Sequence, residues 1–153
     1  MEYMYKSKLG GLLISYNDEF ILSARFDQEQ TQPYVPNSVI YACIKQLDLY
    51  FDAKLKQFDL PLDPKGTDFQ KAVWNELEKI PIGQTKTYGE IATAIGNPKA
   101  SRAVGGANNK NPIYLIIPCH RVVGAGGDMT GYGAGVKRKL ALLELENNFN
   151  TKT

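Results

Sequence analysis

The chain has 153 residues and a mass of 17.0 kDa, which is enough for one ordinary domain or for two small domains that share an interface. Hydrophobic residues make up 43% and charged residues 22%, a composition that predicts a folded globular protein and excludes a disordered one. The formal net charge of +2 does not by itself indicate a nucleic-acid-binding protein.

The cysteine and histidine content excludes two further classes. The chain has two cysteines, Cys43 and Cys119, and one histidine, His120. These are too few for a disulfide framework or for a structural zinc site, which needs four such ligands, so we predict no metal and no other cofactor. The N-terminus lacks a signal-peptide pattern, and no apolar run approaches the roughly 20 residues that span a membrane. We expect a cytoplasmic protein, a monomer, with no membrane partner.

The charge is divided unevenly along the chain. Residues 1–64 contain six Lys or Arg and nine Asp or Glu, a net charge of −3, whereas residues 65–153 contain twelve and seven, a net charge of +5. The change coincides with residues 60–66, a segment punctuated by Pro and Gly that is typical of a linker. We therefore predict two domains, 1–64 and 65–153. The basic second domain indicates a polyanionic partner or ordinary surface variation, and the charge alone favours neither.

The first half is predicted to be an α+β unit. Residues 11–16 and 20–26 are rich in β-forming residues, and the turn-forming residues 17–19 between them predict a hairpin. Ser38 is predicted to cap a helix whose apolar residues recur at helical spacing. Cys43 lies within that pattern and is interpreted as a small buried thiol that packs rather than reacts.

The second half is predicted to be mostly helical. Thr67 and Gln70 have the spacing of a capping box, which predicts a helix that begins between them. A second helix is expected to start at about Tyr88 and to end at Gly96, and a third to start near Lys99. Two short helices joined by a Gly-containing turn indicate a helix-turn-helix or a purely structural helical hairpin.

The third predicted helix is unusually rich in small residues. One side of it is nearly bare, because the following positions carry Ala, Ser or Gly: Ala100, Ser101, Ala103, Gly105, Gly106 and Ala107. Such a surface permits close approach either of a neighbouring helix or of the narrow minor groove of DNA. In the second case Arg102 is the side chain that is long enough to enter the base stack.

The segment 116–123 contains the most reactive combination of residues in the chain. An apolar stretch that we predict to be a short strand leads to Pro118, followed by Cys119, His120 and Arg121. A cysteine reacts as its thiolate, and a neighbouring base and cation would both lower the pKa of the thiol. Adjacent residues of a strand point to opposite faces, so Cys119 and His120 can cooperate only through a turn at Pro118 or through a water molecule.

These motifs together resemble the O6-alkylguanine-DNA alkyltransferases, a family also called methylated-DNA–protein-cysteine methyltransferases. The resemblance covers roughly residues 65–146 and rests on several segments in the same order and spacing: 88–92, 96–100, 102–107, 111–112, 118–122 and 131–133. It implies an α+β fold with a small ribonuclease H-like N-terminal domain of antiparallel strands plus helix. The C-terminal domain would be mostly helical, with a helix-turn-helix in a winged-helix-like arrangement.

The resemblance implies a role for each residue of the reaction centre. Cys119 is the alkyl acceptor, activated through a bridging water by His120, which Glu146 orients. Asn111 braces the turn that leads to the nucleophile. Tyr88 helps to rotate the nucleotide out of the helix, and its hydroxyl faces the departing guanine. The substrate pocket is walled by residues on both sides of the signature: Tyr114, Val122, Tyr132 and Gly133.

The resemblance also implies the DNA contacts. Arg102 takes the place of the flipped guanine in the base stack, and the small residues Ala100, Ser101, Ala103 and Gly105 let the helix approach the minor groove. Arg121 is expected to contact DNA as well. The partner is double-stranded DNA that carries O6-alkylguanine, chiefly O6-methylguanine, with O4-methylthymine as a further candidate.

The implied chemistry agrees with the residues present. The alkyl carbon lies inside the base stack, so a protein side chain reaches it only after the nucleotide is flipped out. In-line attack by Cys119 breaks the carbon–oxygen bond, and a donor such as the Tyr88 hydroxyl would stabilise the charge that develops on guanine. The product is a thioether, which nothing in the chain could cleave, so one molecule repairs one lesion and no cofactor is required.

Two details of the sequence bear on substrate and DNA. Tyr114 stands where the family commonly has a smaller residue or proline, so we expect a narrower pocket that tolerates bulky adducts less well. The run Lys137, Arg138 and Lys139 is predicted to contact phosphates, with a solvated helix start as the alternative.

Two other functions would use some of the same residues, and features of the sequence disfavour each of them. A non-catalytic alkyltransferase-like lesion sensor would bind the same DNA but would lack the acceptor cysteine, so the presence of Cys119 disfavours it. A cysteine hydrolase would use Cys119 and His120 but would leave the helix-turn-helix and Arg102 unexplained, and its Cys and His usually lie far apart in the sequence.

Overall fold

The computed structural model describes residues 1–129 and 131–151 of the chain, with side chains through residue 149. Five strands and five α-helices make up the regular structure. In chain order they are β1 (Glu2–Ser7), β2 (Gly10–Tyr16), β3 (Ile21–Asp27), α1 (Ser38–Phe51), α2 (Asp68–Glu78), β4 (Lys86–Thr87), α3 (Tyr88–Ala94), α4 (Ser101–Asn109), β5 (Val122–Val123) and α5 (Val136–Thr151). The α+β class predicted from the sequence is confirmed.

The N-terminal strands form one antiparallel sheet in the order β1-β2-β3. The predicted hairpin is confirmed as β2 and β3, which pair from Gly11 opposite Asp27 to Tyr16 opposite Ile21. Strand β1 was not predicted, although its buried Met4 and Tyr5 lie between exposed polar positions. Because β1 pairs along all of its six residues with β2, the hairpin becomes a sheet with one face on the core.

The helix caps show how local sequence sets the helix starts. Helix α1 begins one residue earlier than predicted, because its N-cap is Asn37 rather than Ser38, and the Asn37 side chain accepts a hydrogen bond from the backbone N–H of Ile40 at 2.9 Å. The predicted capping box of Thr67 and Gln70 is present at the start of α2. A second capping box, formed by Thr87 and Glu90, fixes the start of α3.

The outer edge of β3 joins the two halves of the chain. Ile21 donates a backbone hydrogen bond to Pro61 at 2.8 Å, so part of the segment 60–66 that was predicted to be a linker is bound to the sheet. Further along the same edge, Ala24 donates to Pro112 at 2.9 Å and accepts from Tyr114 at 2.8 Å. The edge strand is therefore covered by backbone from both sides of the predicted domain boundary, which leaves fewer groups for edge pairing.

One hydrophobic core runs through both halves. It contains Tyr50 of α1 and Trp74 of α2, and the Trp74 indole N–H donates to the carbonyl of Ala107 in α4 at 2.9 Å. Because α4 is anchored in this way, its orientation relative to the rest of the molecule is set by the core.

Within residues 1–129 and 131–151, no helix is long and apolar enough to cross a membrane. The same residues contain no group of three or more His, Cys, Asp or Glu side chains placed to hold a metal ion.

Candidate active site

The backbone turns sharply as it reaches Cys119. The predicted apolar strand before Pro118 is wrong: Ile116 donates to the carbonyl of Tyr114 and Cys119 to that of Ile117, so the segment forms successive turns. Residues Cys119–Arg121 then form one turn of 3-10 helix. The run is apolar because it is buried in the core, and a short buried run does not by itself distinguish a strand from a turn.

The side chain of Asn111 holds these turns together. Its amide N–H donates to the carbonyl of Ile117 at 2.8 Å, and its carbonyl oxygen accepts from the backbone N–H of Ile113 at 2.9 Å. Asn111 is itself buried, so both hydrogen bonds are shielded from water. These two hydrogen bonds agree with the predicted role of Asn111, which is to hold the turn that leads to Cys119.

The Cys119 thiol is fully buried, and burial raises its pKa to about 11. The side chains of Asn111 and Tyr132 and the charge of Lys139 act in the opposite direction and lower the pKa, but they do not outweigh burial. The resting thiol is therefore protonated at neutral pH. A base must remove its proton as the thiol reacts.

His120 is placed to be that base. Its Nε2 lies 2.6 Å from Oε2 of Glu146, and burial lowers the pKa of the imidazole, although Glu146 acts to raise it. The neutral ring carries its proton on Nε2, because the ionised carboxylate can only accept a hydrogen bond. Nδ1 is buried and has no hydrogen-bond partner among the described residues, so its lone pair is free to take a proton.

Glu146 is the centre of a buried hydrogen-bond network. Its carboxylate accepts from His120, from Arg121 Nε at 2.8 Å and Nη2 at 3.0 Å, and from the Tyr50 hydroxyl at 2.5 Å. Burial alone would raise the pKa of Glu146, but its interactions with His120 and with the Arg121 guanidinium outweigh burial and hold the pKa well below its usual range. The carboxylate is therefore ionised at neutral pH.

Arg121 was predicted to contact DNA, but the structure places its side chain in the protein interior. The side chain is buried, because it pairs with both oxygens of Glu146 and its Nη1 donates to the carbonyl of Ile80 at 2.7 Å. Three of its five guanidinium N–H groups thus donate to protein acceptors, one of them a backbone carbonyl and two of them carboxylate oxygens. Arg121 also does not serve as the cation beside Cys119.

The cation near the Cys119 thiol is Lys139, which was predicted to contact DNA phosphates. Its Nζ donates to the carbonyl of Val122 at 2.5 Å, and the side chain is fully buried. Burial lowers the pKa of Lys139, while the nearby Cys119 raises it. The available signal was the helical spacing of Lys139, Leu142 and Glu146, which places all three on the buried face of α5.

Tyr50 and Arg138 also differ from the predictions. Tyr50 was read only as an apolar helix position, yet its hydroxyl joins the N-terminal half to Glu146. Arg138 lies against the sheet, because its Nε donates to the carbonyl of Leu9 and its guanidinium lies 4.5 Å from the centre of the Phe26 ring. Of the predicted phosphate contacts in this run, only Lys137 is exposed.

Tyr88 is held next to the nucleophile by a small parallel sheet. Strand β4 pairs with β5 so that Thr87 lies opposite Val123, and Tyr88 follows as the first residue of α3. Tyr88 is half-buried, and its pKa is raised by burial and by its proximity to the ionisable groups of Cys119 and Asp128. The pairing of these two short strands thus brings Tyr88, the predicted proton donor, close to Cys119, the predicted alkyl acceptor.

Helix α4 presents a bare surface to solvent. Its inner face consists of Val104, Ala107 and Asn108, which are buried, while Arg102 and Ala103 are exposed. Ala100, Ser101 and Gly105 are half-buried at the edge of this surface. A side chain at Gly106 would meet nothing within 4 Å, and one at Gly105 would meet only the Tyr88 ring, at 3.9 Å. No neighbouring helix packs closely on these glycines, so the surface is open to an external partner.

Three residues of the predicted pocket wall, Tyr114, Tyr132 and Gly133, lie together, and the ring of Phe26 adjoins them. Tyr132 is buried, and its ring lies 5.7 Å from that of Tyr114, which in turn lies 6.2 Å from Phe26. A side chain at Gly133 would collide with the Tyr114 hydroxyl. Tyr114 therefore fills space beside Gly133 that a smaller residue would leave open.

Two protein families match the chain, one in each half. The 6-O-methylguanine DNA methyltransferase, ribonuclease-like domain, matches residues 1–64, and the 6-O-methylguanine DNA methyltransferase, DNA binding domain, matches residues 68–148. Similar full-length proteins are named methylated-DNA–protein-cysteine methyltransferase. The one from Methanosarcina acetivorans is 48% identical over 95% of this chain and 97% of its own, and the one from Mycobacterium bovis is 46% identical over 93% and 89%.

Solved structures agree with this assignment. The crystal structure of the Mycobacterium tuberculosis O6-methylguanine methyltransferase has a TM-score of 0.87 and 43% identity, covering 96% of this chain and 92% of its own. A crystal structure of the Mycobacterium tuberculosis protein OGT in complex with DNA has a TM-score of 0.88 and 43% identity, covering 97% and 93%. The family matches span nearly the whole chain, and the buried cysteine, histidine and glutamate lie within the second. The chain therefore belongs to the O6-methylguanine DNA methyltransferase family.

Proposed function

We propose that this protein repairs DNA by transferring the alkyl group of O6-alkylguanine, chiefly O6-methylguanine, to its own Cys119. One observation carries the proposal: a buried thiol lies on the same turn as a neutral histidine that is fixed by an ionised glutamate, and this turn contacts α4 through the Asn108 amide, which donates to the carbonyl of Cys119 at 3.3 Å. The family membership and the relatives named methylated-DNA–protein-cysteine methyltransferase support it.

The reaction follows from the protonation states of the site. The Cys119 thiol gives its proton through a bridging water to Nδ1 of His120, and Glu146 stabilises the resulting imidazolium. The sulfur attacks the alkyl carbon, a carbon–sulfur bond forms, and the bond from that carbon to O6 breaks. The leaving guanine takes a proton, for which the Tyr88 hydroxyl is the donor. Because the product is a thioether, the protein acts once.

The lesion must leave the base stack before this chemistry can occur. Flipping a nucleotide costs a few kcal/mol, and a side chain that fills the gap offsets part of that cost. We assign this role to Arg102, which is exposed on the bare surface of α4. The small residues Ala103 and Gly105, together with Ala100 and Ser101, let the helix approach the minor groove closely.

Intact mass spectrometry tests the proposal directly. After incubation with duplex DNA that contains O6-methylguanine, the protein is expected to gain the mass of one methyl group and then to react no further. A protein that binds this duplex but keeps its original mass would support the non-catalytic lesion sensor instead. Turnover of an ester or amide without mass gain would support a cysteine hydrolase.

Replacing Arg102 with alanine is expected to slow the repair of duplex DNA by roughly 10- to 100-fold, which corresponds to about 1.4–2.7 kcal/mol of lost transition-state stabilisation. Reaction with the free base O6-benzylguanine, which needs no flipping, should change little. The ratio of the two rates is the measurement, and Lys99→Ala removes a nearby exposed charge as a control. Equal losses on both substrates would refute the role in flipping.

Replacing Tyr114 with alanine is expected to increase the rate with O6-benzylguanine relative to the rate with O6-methylguanine by about tenfold, because the larger group no longer meets the ring beside Gly133. Tyr114→Phe keeps the ring and removes only the hydroxyl, so its rate ratio should fall in between. Competition between the two substrates for a limiting amount of protein measures the ratio. An unchanged ratio in Tyr114→Ala would show that Tyr114 does not restrict the pocket.

We propose that one chain acts alone on lesion-containing DNA, because the same chain supplies the nucleophile, the base, the carboxylate and the exposed face of α4. Light scattering of the purified protein at working concentration is expected to give the mass of a monomer. The cytoplasmic location expected from the sequence stays a prediction.

A further inference from the structure

A basic groove of about 460 Å³ lies between β3 and the chain that follows α4. Its lining includes three cationic side chains, Arg25 of β3, Lys110 at the end of α4 and Arg138 of α5, together with the polar side chains of Ser23 and Asn109. No carboxylate is among the residues that line it. A concave surface with cations on both walls and no anion favours a negatively charged occupant.

Backbone pairing holds the two walls of this groove together. Ala24 exchanges hydrogen bonds with Pro112 and Tyr114, at 2.9 and 2.8 Å. Arg25 comes directly after Ala24, and Lys110 comes two residues before Pro112, so the pairing fixes one cation on each side. The spacing between these walls is therefore a property of the fold and does not depend on a loop.

The charges in the groove are available to a ligand. Arg25 and Lys110 are exposed, and their side chains form no ion pair or hydrogen bond with another residue of the described ranges. Arg138 is bound to the carbonyls of Leu9 and Ala134, which are neutral acceptors, so its charge is also uncompensated there. Arg25 is notable because the half of the chain that carries it has a net charge of −3.

The position of the groove identifies its occupant. Lys110 is the C-cap of α4, the helix that the proposed function seats on DNA, and Asn109 belongs to the same helix and the same groove. The groove therefore adjoins the C-terminal end of the helix that is placed on DNA. Because duplex DNA carries one negative charge for about every 1.7 Å of its axis, phosphates are within reach of such a groove at any register.

We propose that this groove binds the sugar–phosphate backbone of the DNA flanking the lesion, so that Arg25 of the N-terminal half takes a direct part in DNA binding. The inference rests on the proposed function only in that α4 is the helix placed on DNA. The contact is with phosphates and therefore independent of base sequence. It adds to affinity and orientation, and it leaves the chemistry at Cys119 unchanged.

Binding of unmodified duplex DNA over a series of salt concentrations tests the proposal. Arg25→Gln and Lys110→Gln are each expected to weaken binding by roughly threefold to tenfold and to lower the slope of log affinity against log salt by about one. The double variant should lower the slope by about two. Lys45→Gln is the matched control, since it removes one exposed positive charge from α1 outside the groove.

Two further measurements separate this proposal from its alternatives. Reaction of both groove variants with free O6-benzylguanine should equal that of the unchanged protein, and their thermal unfolding should be unaltered. Salt slopes and affinities equal to those of Lys45→Gln would overturn the proposal, as would weaker binding with an unchanged slope. Failure of the original protein to take up a methyl group would instead refute the proposed function, and the binding data on unmodified DNA would still decide the groove.

Discussion

Replacing Cys119 with alanine is expected to abolish methyl uptake completely, while binding to duplex DNA is retained. The sulfur of Cys119 is the strong nucleophile that the proposed reaction uses, and without it no thioether can form. Alanine removes only the sulfur from a buried position, so the fold should be kept. Intact mass after incubation with O6-methylguanine duplex measures the effect, and anisotropy measures binding.

The chain supplies its own control for this experiment. Cys43 is the second cysteine, it is buried in α1, and burial raises the pKa of its thiol to about 12. No base or donor offsets that burial, in contrast to Cys119. Cys43→Ala should therefore take up one methyl group as the unchanged protein does. Methyl uptake by Cys119→Ala, or its loss in Cys43→Ala with the fold intact, would contradict the assignment of the acceptor.

Replacing Glu146 with glutamine is expected to lower the free energy of unfolding by about 3–5 kcal/mol and to slow methyl transfer by at least about tenfold. The substitution keeps the shape of the side chain but leaves the buried guanidinium of Arg121 without a counter-charge. It also places an amide N–H near donors such as the Tyr50 hydroxyl. Without the carboxylate, the imidazolium that forms on His120 loses its partner.

Urea denaturation and single-turnover kinetics measure the two effects. Glu144→Gln is the matched control, because Glu144 lies on the same helix but is exposed, so a change within about 0.5 kcal/mol is expected there. A loss of stability in Glu146→Gln no larger than in Glu144→Gln would show that the buried network does not stabilise the fold. Normal kinetics at full stability would refute the positioning of His120.

The same network sets the direction of the pH dependence. In the fold, the pKa of Glu146 is held below its ordinary value of 4.5, so its contribution to stability is present above that value and is lost as the pH falls. The pKa of His120 is also lowered, from an ordinary 6.5, so protonation of the unfolded chain below that value acts in the same direction. Acid should therefore destabilise the unchanged protein more than Glu146→Gln.

Features that depend on neighbouring residues could be predicted from the sequence. The hairpin of β2 and β3, the capping box of Thr67 and the helix-turn-helix were all indicated by residue types a few positions apart. The cysteine signature and Glu146 could be named because their order along the chain resembles a known family. The prediction of a strand before Pro118 was wrong, because a short buried apolar run has no periodicity that distinguishes a strand from a turn.

The partners of buried polar groups could not be predicted. Arg121 was assigned to DNA and Lys139 to phosphates, because a cation in a sequence is by default an exposed one. In the structure Arg121 pairs with Glu146, which lies 25 residues away, and Tyr50 reaches the same carboxylate across 96 residues. Residues so far apart in the sequence come into contact only when α1, α5 and the turn at Cys119 pack together.

The sequence by itself indicated where the helices begin, and it carried the predictions of which residue is the nucleophile and which helix meets DNA. These properties depend on local residue types, whose backbone preferences and chemistry do not depend on the rest of the chain. Only the tertiary structure decided that Arg121 is buried, that Lys139 is the cation near the thiol, and that Arg25 shares a groove with Lys110. The reason is that burial and proximity are set by packing, and packing brings together charges that no spacing along the chain connects.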